Sequence, residues 1–241
     1  MAIEWQAEGI ILSSRIHGES DSVVSIFTRS RGRHLGLVKG GASRKRRGSL
    51  QPGTLVGVRW RARLEEHLGN YACETIHTYA VEAMTDSRRL ICLSTICAMA
   101  DRILPEREPH ERLYQSTLDL LNIVAKSESG AAYVKWELLL LAEMGFGLEL
   151  RSCAATGQPT DLTYVSPKSG QAVSKEAGAP YHNKLLALPK FLLDEAALGP
   201  LNADVLDGFN LTGYFLDMHL FRPHERLIPP VRSRFMELFE V

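Results

Sequence analysis

The hydrophobic period of this chain changes once, near Ser87, and the change constrains the fold more than any other feature. Before it, apolar residues alternate with polar ones; after it, they recur every three to four residues. In SVVSIFTR, Val24, Ile26 and Thr28 alternate with Val23, Ser25 and Phe27. In HLGLVKG, Leu35, Leu37 and Lys39 alternate with Gly36 and Val38. In TLVGVRWRARL, Val56, Val58, Trp60 and Ala62 share one face. GIILSSRI before them and GNYACETIHTYAVE after them complete five strands, divided by the turn residues of HGESD, SRGR and a Gly-Asn pair.

Five short strands with Gly-rich turns in about eighty residues fit a small closed barrel, of which the OB-fold is the commonest five-stranded kind. An SH3-like barrel has similar strand content, and the pattern does not separate the two.

From Ser87 onward, SRRLICLSTICAMADRILP sets Leu90, Leu93, Ile96, Cys97, Ala100, Ile103 and Leu104 at helical spacing, with Ser87 as the N-cap candidate and Pro105 as the stop. PHERLYQSTLDLLNIVAKS and AAYVKWELLLLAEMGF continue the pattern, the latter closed by Gly145 and Gly147. Residues 148–185 break it. They are rich in Gly, Pro, Ser and Thr, and read as an inserted module with a small hairpin around Pro167 to Gly170. Helices resume in LPKFLLDEAALG, NADVLDGFNLTGYFLDMHL and PPVRSRFMELF, with Pro230 and Ser233 marking the start of the last. The expected fold class is α+β: a five-stranded OB-fold barrel over residues 1–82, an all-helical domain from 83–147 and 186–241, and the inserted loop module over 148–185.

The formal net charge is zero, which hides an asymmetry. Residues 1–80 hold twelve Lys or Arg against seven Asp or Glu; the remainder carries the opposite balance. Between Asp21 and Glu65 there is no acidic residue, while eleven Lys or Arg fall there. A solvated surface normally mixes signs, so an acid-free stretch of this length points to a polyanionic partner.

Two groups of cations carry that expectation. VKGGASRKRRGSLQPG, residues 38–53, sets Arg44, Lys45, Arg46 and Arg47 in a row beside glycines, and reads as a mobile loop with no residue for a buried face. Such cations spread along phosphates without reading particular bases. Four of them imply a salt slope near about −3 on a single strand, at about 0.7 per phosphate. Lys39 supports them. Side chains alternate across a strand, so Arg59, Arg61 and Arg63 project together from the fourth strand, opposite its apolar face. A barrel interior does not hold three unpaired guanidiniums, so this second group lies outside or under a bound anion. Phe27, Trp60 and Tyr71 on the same strands are candidate stacking platforms for bases, with Trp60 assigned to the core.

Enzyme signatures are missing from the sequence: there is no GxxxxGK[ST], no GxGxxG after a strand, no GxSxG and no HExxH. His17 to Glu19 spell the first half of a zinc deaminase pattern, but no PCxxC follows. The expectation is a protein without catalysis of its own and without a cofactor. MAIEWQAEGIIL has two acids and no basic n-region, unlike a signal peptide, and LLLLAEMGF is too short to span a bilayer. Four scattered cysteines suit a reducing compartment, so a cytoplasmic location without membrane attachment is expected.

EGIILSSRIHGESDSVVSIFTRSRGRHLGLVKGGASRKR resembles the N-terminal signature of the RecO family of bacterial recombination mediators, at Gly18, Glu19, Asp21, Phe27, Thr28, Gly32, Lys39, Gly40 and Gly41. KWELLLLAEMGFGLELRSCAATG is similar to that family's passage from a long helix into its cysteine-bearing module. The resemblance implies an OB-fold that binds single- and double-stranded DNA and anneals complementary strands. The implied partners are RecR, often RecF, and the acidic C-terminal tail of the single-stranded-DNA-binding protein, with a nucleoid-associated location. The tail site is not placed; Arg112, Lys135, Arg222, Arg226, Arg232 and Arg234 are its candidate cations. From the residues alone, an RNA-binding OB-fold annealing or assembly factor is the alternative.

One departure from the family is clear. Many members bind zinc through two cysteine pairs in the inserted module; here only Cys153 remains, Thr156 stands where its C-x₂-C partner would be, and SPKSGQAVSKEAG contains no cysteine. One thiolate with a distant His182 does not complete a tetrahedral site, so no structural zinc is expected. Packing of Leu162, Tyr164 and Val165, with the turns, is expected to hold the module instead.

Overall fold

The structure is a computed structural model describing residues 3–126, 130–194 and 201–240. Contacts divide it into two compact units, Met1–Ser129 and Gly130–Val241.

The first unit is built on five strands: β1 (Ile3–His17), β2 (Asp21–Thr28), β3 (Gly32–Val38), β4 (Thr54–Ala62) and β5 (Asn70–Thr78). They close into a barrel in the order β1-β2-β3-β5-β4. β5 lies between β3 and β4, and its contact with β3 is parallel, Leu37 opposite Asn70, while every other pairing is antiparallel. This is the OB-fold order, which resolves the choice that strand content left open. β1 is longer than its apolar stretch because it serves two neighbours. Ile3–Ile10 pairs with β4 and Gly9–His17 with β2, with a register shift between Ile11 and Ser13 where the strand turns the corner.

Alternation places Ile11, Val24, Ile26, Val38, Val56, Val58, Trp60 and Tyr71 in the barrel core. On β3 the inward face is His34, Gly36 and Val38, while Leu35 and Leu37 are half-buried on the other side. Leu50, inside the basic segment, is also core at 4 % exposure, so that segment does contribute to the buried face.

Between β3 and β4 the chain forms a single helical turn, α1 (Arg44–Arg47), and a 3₁₀ turn over Gly48–Leu50. After β5 come α2 (Tyr79–Ala83), α3 (Ser87–Ile103) and α4 (Glu111–Val124). The N-cap of α3 is Asp86 rather than Ser87: its carboxylate accepts from the Arg88 N–H at 2.8 Å. Leu104, before Pro105, turns extended and ends the helix. Both helices pack on the barrel. The Cys97 thiol reaches the Ile11 carbonyl, and the Tyr114 ring meets Phe27 edge-on at 5.4 Å. Phe27 is therefore core on the outer side of β2.

The second unit contains α5 (Gly130–Glu143), a three-stranded sheet of β6 (Leu162–Val165), β7 (Ala172–Ser174) and β8 (Leu186–Ala187), the short α6 (Lys175–Gly178), α7 (Asn202–Leu216) and α8 (Pro230–Glu237). β6 and β7 form the hairpin around residues 167–170, and Leu162 and Val165 are buried in it. LPKFLLDEAALG gives only a 3₁₀ turn at Lys190–Leu192; the helix expected there extends over residues 195–199, which lie outside the described residues. No helix among the described residues is long and apolar enough to cross a membrane.

Candidate nucleic-acid interface

Two short sequence segments meet to present the first cations. The Asp21 carboxylate, at the start of β2, accepts from the Gly40 N–H at 2.8 Å and from the Ser20 hydroxyl at 3.1 Å. Those bonds, the Gly40 amide foremost, hold its pKa below the ordinary carboxylate range, with the Lys39 charge adding to the effect. The Ala42 N–H donates to the Ser20 carbonyl. Gly40 has φ +66°, and a side chain on Gly41 would strike Ser22 at 2.9 Å, so both positions require glycine. The β1–β2 turn thus fixes the exit of β3, and with it Lys39.

Arg44–Arg47 form a helical turn rather than an extended loop. Ser43 is extended and its carbonyl accepts from the Arg46 and Arg47 amides, closing one helical turn. The Arg46 guanidinium folds back and donates to the Lys39 carbonyl at 2.8 Å, and Ser49 caps the Arg46 carbonyl. Burial pushes the nearby Cys73 thiol up to about 11, against the pull of the Arg46 charge. Arg44, Lys45 and Arg47 are exposed, and among the described residues no carboxylate reaches salt-bridge distance of them. Arg44 and Arg47 stand one turn apart on the same side, an uncompensated like-charge pair. The turn has no acid to complement its N-terminus. An arrangement that repels itself in water is relieved by a bound polyanion.

Arg59 and Arg61 project from the outer face of β4, as alternation requires, and Arg63 follows just beyond the strand end; all three are exposed. The surroundings are less positive than the sequence implies. Arg59 faces Glu4 at 4.0 Å, Arg61 sits between Glu4 and Asn70 in register, and Gly57 lies between Glu8 and Glu74. A sequence stretch free of acids is not a surface free of acids, because β1 and β5 bring theirs alongside. Arg59 is the member of this row that register brings nearest the first group. Leu37 pairs with Asn70 and β5 runs parallel to β3, so Lys39, just past the end of β3, stands level with Ala72 and hence with Arg59, across two strand spacings of about 4.8 Å each. Arg61 on β4 and Arg63 just beyond it continue the row.

The expected aromatic platforms are not available for stacking. Phe27 and Trp60 are fully buried and Tyr71 is 5 % exposed. The accessible ring is Trp5, half-buried at the barrel mouth with Arg31 above it. The alternation of Trp5, Ala7 and Gly9 with Glu4, Gln6 and Glu8 is the signal that marks it as inward-facing. Of the other cations in the acid-free stretch, Arg29 pairs with Glu111, and Arg33 is tied to the Leu104 carbonyl and Asp101.

In the second unit, Arg232 is removed from the surface candidates. It is 5 % exposed and bonded to Glu137. Arg222 pairs with Asp217 at 2.6 Å. The module does not fit a structural zinc: Cys153 Sγ lies 3.2 Å from the Ser174 amide and 3.4 Å from its hydroxyl, with Thr156 the other close partner, and hydroxyls do not replace thiolates or imidazoles in such a site. Among the described residues no group of three His, Cys, Asp or Glu is placed to hold a metal.

Comparison with known proteins agrees with this architecture. The family profile described as Recombination protein O N terminal matches residues 1–79, and the one described as Recombination protein O C terminal matches residues 84–228. The chain is 46 % identical over 242 residues to a protein of Rhodospirillum rubrum named DNA repair protein RecO, covering 98 % of this chain and 96 % of that one. Proteins of the same name from a Bradyrhizobium species and from Xanthobacter autotrophicus are 49 % and 48 % identical over 236 and 235 residues. Each match spans 97 % of this chain, with 95 % and 96 % of the respective relatives covered.

Proposed function

This chain belongs to the RecO family of DNA repair proteins, and from that premise we propose that it is a recombination mediator that acts by neutralising DNA backbones. It binds single- and double-stranded DNA on the barrel and anneals complementary strands coated with single-stranded-DNA-binding protein. With RecR, and RecF where present, it helps a recombinase load at gaps. The helical unit docks partner proteins, the acidic tail of the single-stranded-DNA-binding protein among them. No covalent step is required of it, and the work is done in the cytoplasm at the nucleoid.

The observation that carries this reading is the uncompensated turn of α1. Arg44, Lys45 and Arg47 are exposed without carboxylate partners, while Arg46 and Asp21 hold the turn and Lys39 in place. Cations on a backbone turn contact phosphates rather than base edges, so the surface grips any sequence. Two strands whose charges are neutralised on one surface lose the repulsion that keeps them apart.

The test is a salt series of binding to a single-stranded oligonucleotide. Replacing Arg44, Lys45 and Arg47 with alanine is expected to flatten the slope of log K against log salt by about 2, at about 0.7 per phosphate contact. An unchanged slope would remove α1 from the interface. Stronger binding to RNA than to DNA of equal length would redirect the reading to RNA.

A further inference from the structure

Trp5 is the outermost ring of an aromatic stack that fills one end of the barrel. Its indole lies on Trp60, centroids 5.7 Å apart and 18° from parallel. His34 and Tyr71 meet it edge-on at 5.1 and 6.1 Å. Trp60 beneath is fully buried and its Nε1–H donates to the Leu68 carbonyl at 2.9 Å, so the base of the stack is fixed. Trp5 itself keeps part of its surface in solvent, and the Arg31 guanidinium stands 5.8 Å from its centroid. Arg31 is exposed, on the turn between β2 and β3, and no carboxylate among the described residues is within salt-bridge distance of it.

The ring packs on the core and still leaves a face open beside a cation. An exposed cation over an indole gains a modest attraction from the ring, and Arg31 has no carboxylate partner among the described residues to hold it elsewhere. Trp5 is in register with Trp60 on the inward face of the sheet, while Glu4 beside it faces outward in register with Arg61, so Arg31 is the cation at the ring itself.

We propose that Trp5 and Arg31 form a base-stacking platform that takes one unpaired nucleobase of a single strand bound on the barrel. Arg31 swings aside to cover the base and neutralise its neighbouring phosphate. The rigid Trp60 layer makes the platform preorganised. Stacking is indifferent to base identity, since every base has a π face, which matches an interface without sequence readout. Bases in a duplex are already stacked on each other, so the platform adds affinity for single strands only. It gives the proposed DNA-binding surface a means of distinguishing a gap from intact duplex, and it rests on that reading.

The test compares an oligothymidine with an abasic oligomer of equal length and charge, binding to wild type, Trp5→Leu and Arg31→Ala. Wild type is expected to bind the oligothymidine about tenfold more tightly, within the range of one stacked base, with tryptophan emission quenched by that oligomer alone. Both variants are expected to lose the preference; Trp5→Leu keeps wild-type affinity for the abasic strand, while Arg31→Ala binds both oligomers more weakly and with a salt slope flatter by about 0.7, one phosphate contact. Should Trp5→Leu fail to fold, Arg31→Ala decides, because its side chain is exposed. Equal, tight binding of both oligomers by wild type, or a preference that survives in a folded variant, overturns the platform and leaves the phosphate surface standing. No binding of either oligomer overturns both.

Discussion

Arg232 of α8 lies across the Glu137 carboxylate of α5 in a fork: Nε to Oε1 at 2.7 Å and Nη2 to Oε2 at 2.8 Å, with both side chains almost wholly out of solvent. Tyr133 and Thr212 donate to the same carboxylate at 2.6 and 2.5 Å, and Arg232 also donates to the Phe209 carbonyl at 2.9 Å. Three helices are therefore joined at one charge pair inside the second unit. Removing one partner leaves the other charged and buried, which costs about 3–5 kcal/mol. Glu137→Leu or Arg232→Met is expected to lower the stability of that unit by this amount, read from amide exchange of α5 and α7. The double replacement is expected to cost much less than the sum, since no stranded charge remains.

His34 makes the barrel sensitive to acid. It is 3 % exposed, edge-on to Trp5 and Trp60, with Nδ1–H donating to the Leu35 carbonyl at 2.8 Å. Burial, foremost, holds its pKa below the ordinary 6.5; the Arg31 and Arg107 charges add to this, against the Leu35 bond and Glu106. In the unfolded chain the ring takes a proton near pH 6.5, whereas in the fold it does so only at lower pH. In between, the unfolded state holds the extra proton, so the contribution is complete above about pH 6.5 and drains away as pH falls below it. Urea midpoints of the barrel at pH 7.5 and 5.5 should differ more for wild type than for His34→Phe.

Two glycines separate steric need from convenience. Gly32, between β2 and β3, has φ +63°, and a Cβ there would lie 1.9 Å from the Glu108 carbonyl oxygen, a backbone atom. Gly32→Ala is expected to cost at least about 2 kcal/mol, from left-handed strain of about 1–2 kcal/mol and displacement of the segment before α4. Gly48, by contrast, is helical at φ −65° with nothing near a Cβ. Gly48→Ala is expected to leave stability unchanged or raise it by about 0.4–1 kcal/mol. Thermal melts of the two variants check both statements.

The barrel was largely legible because its strands have one buried face, and alternation reports that face directly. β1 was harder to read: Ile3–Glu8 exposes Glu4, Gln6 and Glu8, so its hydrophobic content is low although Trp5 and Ala7 point inward. The family profiles meet between residues 79 and 84, close to the change of period, whereas the packing of the chain divides after Ser129. Helical periodicity reveals that α3 and α4 exist but not which core they cover. At the candidate interface, the cations of residues 39–47 were visible as a charge run. Their helical turn was not, because it depends on the Ser43 carbonyl and the Arg46 bond to Lys39. The acids beside Arg59 and Arg61 come from other strands, and register is a three-dimensional fact. Trp5 was missed for the same reason: only strand pairing places it over Trp60 and under Arg31.

The most direct measurement is annealing of two complementary DNA strands coated with single-stranded-DNA-binding protein, comparing wild type with a chain in which Arg44, Lys45, Arg46 and Arg47 are all alanine, its fold verified by amide exchange of the barrel. The account predicts that wild type anneals the strands and that the variant, folded, does so much more slowly. Equal annealing by both would contradict it, as would a wild type that does not anneal at all.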